Sequence, residues 1–233
     1  ATLIHDDVVD ESDLRRGRAT VNSAWNNATA VLVGDFLISR AFQLIVSLRN
    51  HTISEIMADS TCIIAEGEVL QLLNQRDPKT TESRYMEVIY SKTAQLFAAA
   101  TETGAVLGDE QYRPAMKAYA LHFGAAFQII DDVMDYTSSA DVMGKNVGDD
   151  LAEGKPTLPL IRAMQIAAPA DADIISQAIK TGGLEHLTRI IQLVQETGAL
   201  EYCQQRAVEE SDLAIAALAP LPDSIYKEAM IGV

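Results

Sequence analysis

The chain is 233 residues long, 48% hydrophobic and only 6% aromatic, with a formal net charge of −15. One large domain or two small ones fit that length, the apolar fraction suffices for a substantial core, and the acidity, with no Lys/Arg block, argues against a nucleic-acid surface. An anionic ligand stays open, because bound divalent cations can invert the local sign of the field.

Ala, Leu, Ile, Glu and Gln are abundant and favour helix over strand. Helical periodicity recurs from end to end with no convincing alternating pattern. The expected fold is therefore all-α, a single domain over 1–233 built of long packed helices. Ala1-Thr2-Leu3-Ile4 runs into charged residues as if already mid-helix. A helix is predicted over 28–48, with Val31, Val33, Leu37, Ala41, Leu44 and Leu48 at helical spacing, and a second over 53–73. Asp77-Pro78 ends it. Thr80 or Thr81 caps the next helix, which runs through Tyr85, Ile89, Leu96 and Ala100 to about Gly108. Pro114 opens another that reaches Tyr136, and residues 137–156, richer in Ser, Gly, Asp and Lys, are read as a loop. Shorter helices follow over about 157–167, 171–181, 184–197, 199–218 and 223–231.

Cys62 and Cys203 lie in apolar, helix-like segments without metal-ligand spacing, so they read as buried free thiols in a reducing compartment. The uncharged stretch 118–130 is too short for a membrane span, and no signal-peptide pattern is seen. The expectation is a cytoplasmic protein with no transmembrane segment. With no initiating Met and no polar tail after Met230-Ile231-Gly232-Val233, the chain reads as an interior portion of a longer protein, its N-terminal helices and C-terminal tail missing.

The informative feature is Asp6-Asp7-Val8-Val9-Asp10 and its second copy, Asp131-Asp132-Val133-Met134-Asp135. Helical positions four apart share a face, about 6 Å apart along the axis, so Asp6 goes with Asp10 and Asp131 with Asp135. Like charges at that spacing repel, and the apolar flanks Leu3-Ile4 and Ile129-Ile130 raise the cost by stripping water from the carboxylates. One such motif in so acidic a chain reads equally well as a solvated helix end. Two copies with matching flanks call for a cation, and hard oxygen donors suit Mg2+. Two such helices facing across a cavity would make a multi-Mg2+ cage with coordination sites left for phosphate oxygens, so a diphosphate is the expected ligand. Arg15-Arg16 before Gly17, Lys92 among apolar residues, and Lys145 and Lys155 after the second motif are better explained as its clamps than as surface decoration.

Five segments resemble, in order and spacing, the motifs of trans-prenyl diphosphate synthases, the octaprenyl type most of all. They are His5-Asp6-Asp7-Val8-Val9-Asp10-Glu11-Ser12 with Arg15-Arg16-Gly17, Tyr90-Ser91-Lys92-Thr93-Ala94, Phe127-Gln128 running into the second motif, Gly144-Lys145-Asn146-Val147-Gly148-Asp149-Asp150-Leu151, and Glu153-Gly154-Lys155-Pro156-Thr157-Leu158-Pro159. The resemblance implies an isoprenoid-synthase fold, long helices around a central cavity, usually as a homodimer. It implies condensation of isopentenyl diphosphate with an allylic diphosphate, farnesyl diphosphate, to octaprenyl diphosphate for a quinone side chain. In that pattern Asp6, Asp10 and Asp131 bind Mg2+ directly, and Asp7, Asp132 and Asp135 assist or hold metal-bound water. Arg15, Lys92 and Lys145 hold the allylic diphosphate with Lys155 nearby, and Arg16 touches isopentenyl diphosphate. Thr93 and Gln128 aim oxygen dipoles at the developing carbocation, so Lys92, Thr93 and Gln128 form the catalytic set. The small Ala1 and Thr2 beneath the first motif leave the product tunnel open, and Ile45 is the candidate for its floor. Glu66-Gly67-Glu68 and Gln71 recur in the family and read as structural; His5 reads as packing, and His51, His122 and His186 show no partner pattern.

Three rivals share features. A terpene cyclase typically carries an Asn/Asp-x-x-Ser/Thr-x-x-x-Glu second motif, which Asp131 to Asp135 does not match. A squalene- or phytoene-type enzyme lacks the Gly144-Lys145 and Gly154-Lys155-Pro156 pattern. A non-catalytic subunit of a heteromeric synthase tends to lose the aspartate motifs, and both are intact here.

Overall fold

The computed structural model describes residues 1–137 and 148–233. The chain runs through α1 (Thr2–Val9), a hairpin of β1 (Leu14–Arg15) and β2 (Arg18–Ala19), α2 (Val21–Ala24), α3 (Asn27–Ser47) and α4 (His51–Asn74). Next come α5 (Glu82–Ile89), a π-helical turn (Tyr90–Ala94), α6 (Gln95–Leu107), a 3-10 turn (Glu110–Tyr112) and α7 (Arg113–Thr137). The C-terminal part holds α8 (Asp149–Ala152), α9 (Leu158–Ile166), α10 (Pro169–Thr181), α11 (Leu187–Glu196), α12 (Ala199–Ala217) and α13 (Ile225–Ile231).

Side-chain caps start the long helices where the backbone N–H groups lack partners. Asn26 Oδ1 accepts from Thr29 N at 2.8 Å, and Asn50 Oδ1 from Ile53 N at 3.1 Å. Of the two candidate threonines before α5, Thr81 is the cap, accepting from Arg84 N at 3.3 Å. Thr80 is buried instead, and its hydroxyl donates to Asp77 O at 2.9 Å, closing the turn after α4.

α7 is the spine, with α12 along one side and α6 along the other. α4 packs on α6 and on the π-turn, α1 lies on α3, and α3 meets α4. The main core joins Ile129 and Val133 of α7 to Leu158, Leu160, Ile175, Ile190 and Val194 of the C-terminal helices. A smaller cluster holds Ala98, Tyr119, Ala120, Ala214 and Leu218. α3 contributes little to either: its Leu32, Phe36, Leu44 and Val46 are 57–67% exposed. It is also the one described helix long and apolar enough to cross a membrane by length and composition.

Five expectations are corrected. The absence of strands does not hold, because Leu14↔Ala19 and Arg15↔Arg18 pair across a two-residue turn. That turn, Arg16-Gly17, has φ of 52° and 72°, the left-handed geometry that matches hairpin twist. The loop 137–156 contains α8 in its described part. The rod from Thr81 to Gly108 is interrupted by the π-turn. Cys62 is exposed on α4; only Cys203 is buried. The first turn of the 171–181 helix was missed because Pro169 opens α10, a position where the absent N–H costs nothing.

Candidate active site

A cavity of about 170 Å³ opens between the end of α4, the α5–π–α6 rod, α7 and the segment 150–157, lined in part by Gln71, Lys92, Thr93, Gln128, Asp131 and Lys155. Sequence spacing is realised locally: Asp6 lies within α1, and Asp10 is its C-cap in helical conformation, so both carboxylates share a face. The two cavity lysines reach this motif. Lys92 Nζ sits 3.9 Å from Asp6 Oδ1, and Lys155 Nζ 3.1 Å from Asp10 Oδ2. Each lysine has a second anchor: Glu68 at 2.6 Å for Lys92, and Glu153 for Lys155.

The fields follow from this. Asp6 is pushed up to about 6, chiefly by burial, with Lys92 opposing and Glu68 and Asp10 adding to the rise. Burial pulls the Lys155 ammonium down, but Asp10, Glu153 and Asp150 outweigh it and hold the group above its usual range. Asp7 points elsewhere: 4% exposed, it accepts from Arg15 Nε at 2.7 Å.

In the second motif Asp131 is half-buried and lines the cavity. Asp132 and Asp135 are buried. Asp132 accepts from Tyr85 Oη at 2.7 Å on one oxygen and from Gln128 Nε2 at 2.7 Å on the other. Burial first, then Asp150, push this carboxyl well up. Thr93 Oγ1 donates to Gln128 Oε1 at 3.0 Å, completing a chain from Thr93 through Gln128 to Asp132.

An acidic pair held by lysines that line a cavity shared with the second aspartate motif suits an anionic substrate met through cations, and the whole pattern has counterparts in known proteins. The polyprenyl synthetase family matches residues 1–196. The chain belongs to that family. It is 56% identical over 233 residues to the all-trans-nonaprenyl-diphosphate synthase (geranyl-diphosphate specific) of Rhodobacter capsulatus, covering 100% of this chain and 72% of that protein. It is 51% identical over 235 residues to the octaprenyl diphosphate synthase of Escherichia coli K12, covering 100% and 73%. The polyprenyl synthase of Caulobacter crescentus CB15, complexed with calcium and isoprenyl diphosphate, superposes with a TM-score of 0.94 at 43% identity, over 99% of this chain and 71% of that one. The fold is thus that of polyprenyl synthases, and the protein is a prenyltransferase of the long-chain polyprenyl diphosphate synthase type.

The residues of this polyprenyl synthetase fit a hard divalent cation. Asp131 lines the cavity, Asp6 and Asp10 meet its lysines Lys92 and Lys155, and few carboxylates are needed for an ion that keeps most of its waters. Asn74, 3% exposed and lining the cavity, has neither amide atom paired among the described residues, and both suit a hydrated ion or a phosphate oxygen. A ready-made cage is not seen: among the described residues no three Asp, Glu, His or Cys side chains converge on one point.

Other predicted residues sort plainly. Arg16 is exposed at the hairpin turn. Lys145 lies outside the described residues. Thr2 falls within about 40° of Asp6 on the helical wheel, whereas Ala1, the N-cap, is about 140° round. Ile45 is half-buried in α3 and does not line the cavity. Glu68, read as structural, is the nearest anchor of Lys92, and Gln71 is a lining residue. The signal for Glu68 was Gly67, a mid-helix glycine that marks close backbone approach. Tyr85 gave no signal, since nothing local distinguishes it from a core aromatic. His122 does have partners: Glu210 Oε2 at 2.7 Å and Tyr90 Oη at 3.1 Å.

Proposed function

We propose that the protein condenses isopentenyl diphosphate with farnesyl diphosphate and extends it to octaprenyl diphosphate, a quinone side-chain precursor, with Mg2+ at the two aspartate motifs. The observation that carries this reading is the placement of Lys92 and Lys155. They come from separate elements, touch the first motif, and line the same cavity as Asp131 and Asp132 of the second.

When bound, Mg2+ supplies Lewis-acid stabilisation to the departing diphosphate. The chain's own residues do the rest. Asp6, Asp10 and Asp131 would ligate the ion, and Asp7, Asp132 and Asp135 would steady the ligands and metal-bound water. Lys92, Lys155, Arg15 and Lys145 hold the allylic diphosphate, the two cavity lysines exchanging carboxylate for phosphate partners. Arg16 holds isopentenyl diphosphate. Thr93 donates its proton to Gln128, which leaves the hydroxyl lone pairs for the allylic cation; Gln128 keeps that orientation by donating to Asp132. Among the described residues the cavity lining presents no histidine, and the released diphosphate takes the proton lost in the condensation.

The cytoplasm is the proposed compartment, with both cysteines as free thiols. A homodimer is the proposed assembly, its interface on the exposed apolar face of α3 and the adjoining Val69 and Leu73 of α4. A second reading, a nine-unit product started from geranyl diphosphate, is favoured by the 56%-identical relative of that name. Radiolabelled isopentenyl diphosphate with geranyl or farnesyl primer, followed by chromatography of the dephosphorylated products, tests both. Eight units from farnesyl diphosphate support the first reading and nine units from geranyl alone the second; no Mg2+-dependent incorporation overturns both.

A further inference from the structure

The π-turn Tyr90–Ala94 carries Lys92 and Thr93, and it is held on three sides. A Cβ at Gly67 of α4 would stand 2.8 Å from Lys92 N, and one at Gly124 of α7 would stand 2.6 Å from Ala94 Cα, so two glycines let neighbouring backbones close on the bulge. Just beyond it, Gln95 Nε2 donates to Ser60 Oγ of α4 at 3.0 Å, both groups buried. On the third side Tyr90 Oη donates to Glu210 Oε2 of α12 at 2.6 Å. His122 of α7 meets the same oxygen through Nδ1 at 2.7 Å, and Arg206 reaches the other oxygen at 3.4 Å. Glu210 is 3% exposed, and none of Tyr90, His122 and Glu210 lines the cavity. Since a carboxylate only accepts, Nδ1 of His122 carries a proton. Burial, with Glu210, raises the Tyr90 phenol, which keeps its hydrogen and stays a donor.

A π-turn inserts a residue into the helical ladder and is held only where surroundings over-determine it. Core burial alone does not account for a charged carboxylate, an imidazole and a phenol converging behind it. We infer that Tyr90, His122 and Glu210 are positioning residues: they pin the outer side of the π-turn to α7 and α12 and so set where Lys92 and Thr93 stand in the cavity. The inference rests on the proposed roles of Lys92 and Thr93.

The test is a double-mutant cycle. Tyr90→Phe removes one hydroxyl and keeps the ring. It is expected to lower kcat about ten- to a hundredfold, the loss typical of a misplaced catalytic group, with KM for isopentenyl diphosphate and the melting temperature little changed. In a Thr93→Ala background the same change should cost clearly less than in the wild type, because one of the two groups it positions is gone. Glu210→Gln, which keeps shape and removes charge, should repeat the pattern. Losses that multiply in the double mutant, or loss of the folded state in both Tyr90→Phe and Glu210→Gln, would make the network a stability element and overturn the inference alone. Wild-type turnover in Thr93→Ala would overturn the role of Thr93 itself and the inference with it.

Discussion

Asp6 and Asp10 share a helix face but differ in what surrounds them. Asp6 meets Lys92 at 3.9 Å and Asp10 meets Lys155 at 3.1 Å, and each lysine has a closer second carboxylate, Glu68 for Lys92 and Glu153 for Lys155. Asp6→Ala therefore leaves Lys92 paired, and the fold should be nearly as stable while kcat falls about 10²- to 10³-fold through lost transition-state stabilisation. Asp131→Ala should do the same; near wild-type turnover at saturating Mg2+ in either variant would refute the metal role. The adjacent arginines separate more sharply. Arg15→Ala strands the buried Asp7 carboxylate and should cost stability, on the order of 1–2 kcal/mol because the guanidinium is half-exposed, and it should raise KM for the allylic diphosphate. Arg16→Ala should leave stability alone and raise KM for isopentenyl diphosphate. Urea unfolding and two-substrate kinetics read both. Burial pushes the Cys203 thiol up to about 12, whereas Cys62 is exposed with its thiol raised by Glu66 beside it. At pH 8 iodoacetamide should modify Cys62, more slowly than a free cysteine, and spare Cys203 in the native protein. Mass spectrometry of the peptides checks this.

At the scale of elements, the rod from Glu82 to Leu107 is where local and tertiary demands diverge. Its residues form helix readily, and nothing in the string Tyr90-Ser91-Lys92-Thr93-Ala94 demands a π-turn. The bulge comes from neighbours: Gly67 and Gly124 bring α4 and α7 within contact of its backbone. Two glycines make a matched test. Gly104→Ala in α6 meets nothing within 4 Å and should stabilise the protein by about 0.5–1 kcal/mol through helix propensity. Gly67→Ala meets the Lys92 amide at 2.8 Å and should destabilise by about 1–3 kcal/mol, with reduced turnover. Denaturant melts of the two variants decide it; equal shifts would mean the α4 contact is loose.

At the scale of the molecule, product length depends on where a growing chain leaves the metal end. α1 points its N-terminal residues away from Asp6, and Thr2, one turn deeper on nearly the same face, is small. Thr2→Tyr should shorten the product to about three or four isoprene units with metal affinity little changed, and Ala1→Tyr should act in the same direction more weakly, being rotated off that face. Chromatography of dephosphorylated products is the measure; an unchanged long product from both would place the tunnel elsewhere.

Much of this was legible in the chain itself. Helix positions follow from periodicity and caps, and the i, i+4 carboxylate pairs follow from helix geometry, because both depend on residues within a turn or two of one another. The paired aspartates, the cavity lysines and the family likeness are local strings, and a string can be read without its surroundings. What a string cannot hold is a partner distant in sequence. Glu68 beside Lys92, Tyr85 donating to Asp132 across 47 residues, and Tyr90 donating to Glu210 across 120 exist only because helices cross there. The hairpin at Arg16-Gly17, the exposure of Cys62 and the π-turn belong to the same class. Each is decided by which surfaces the packed helices bring together, so only the tertiary structure could decide it.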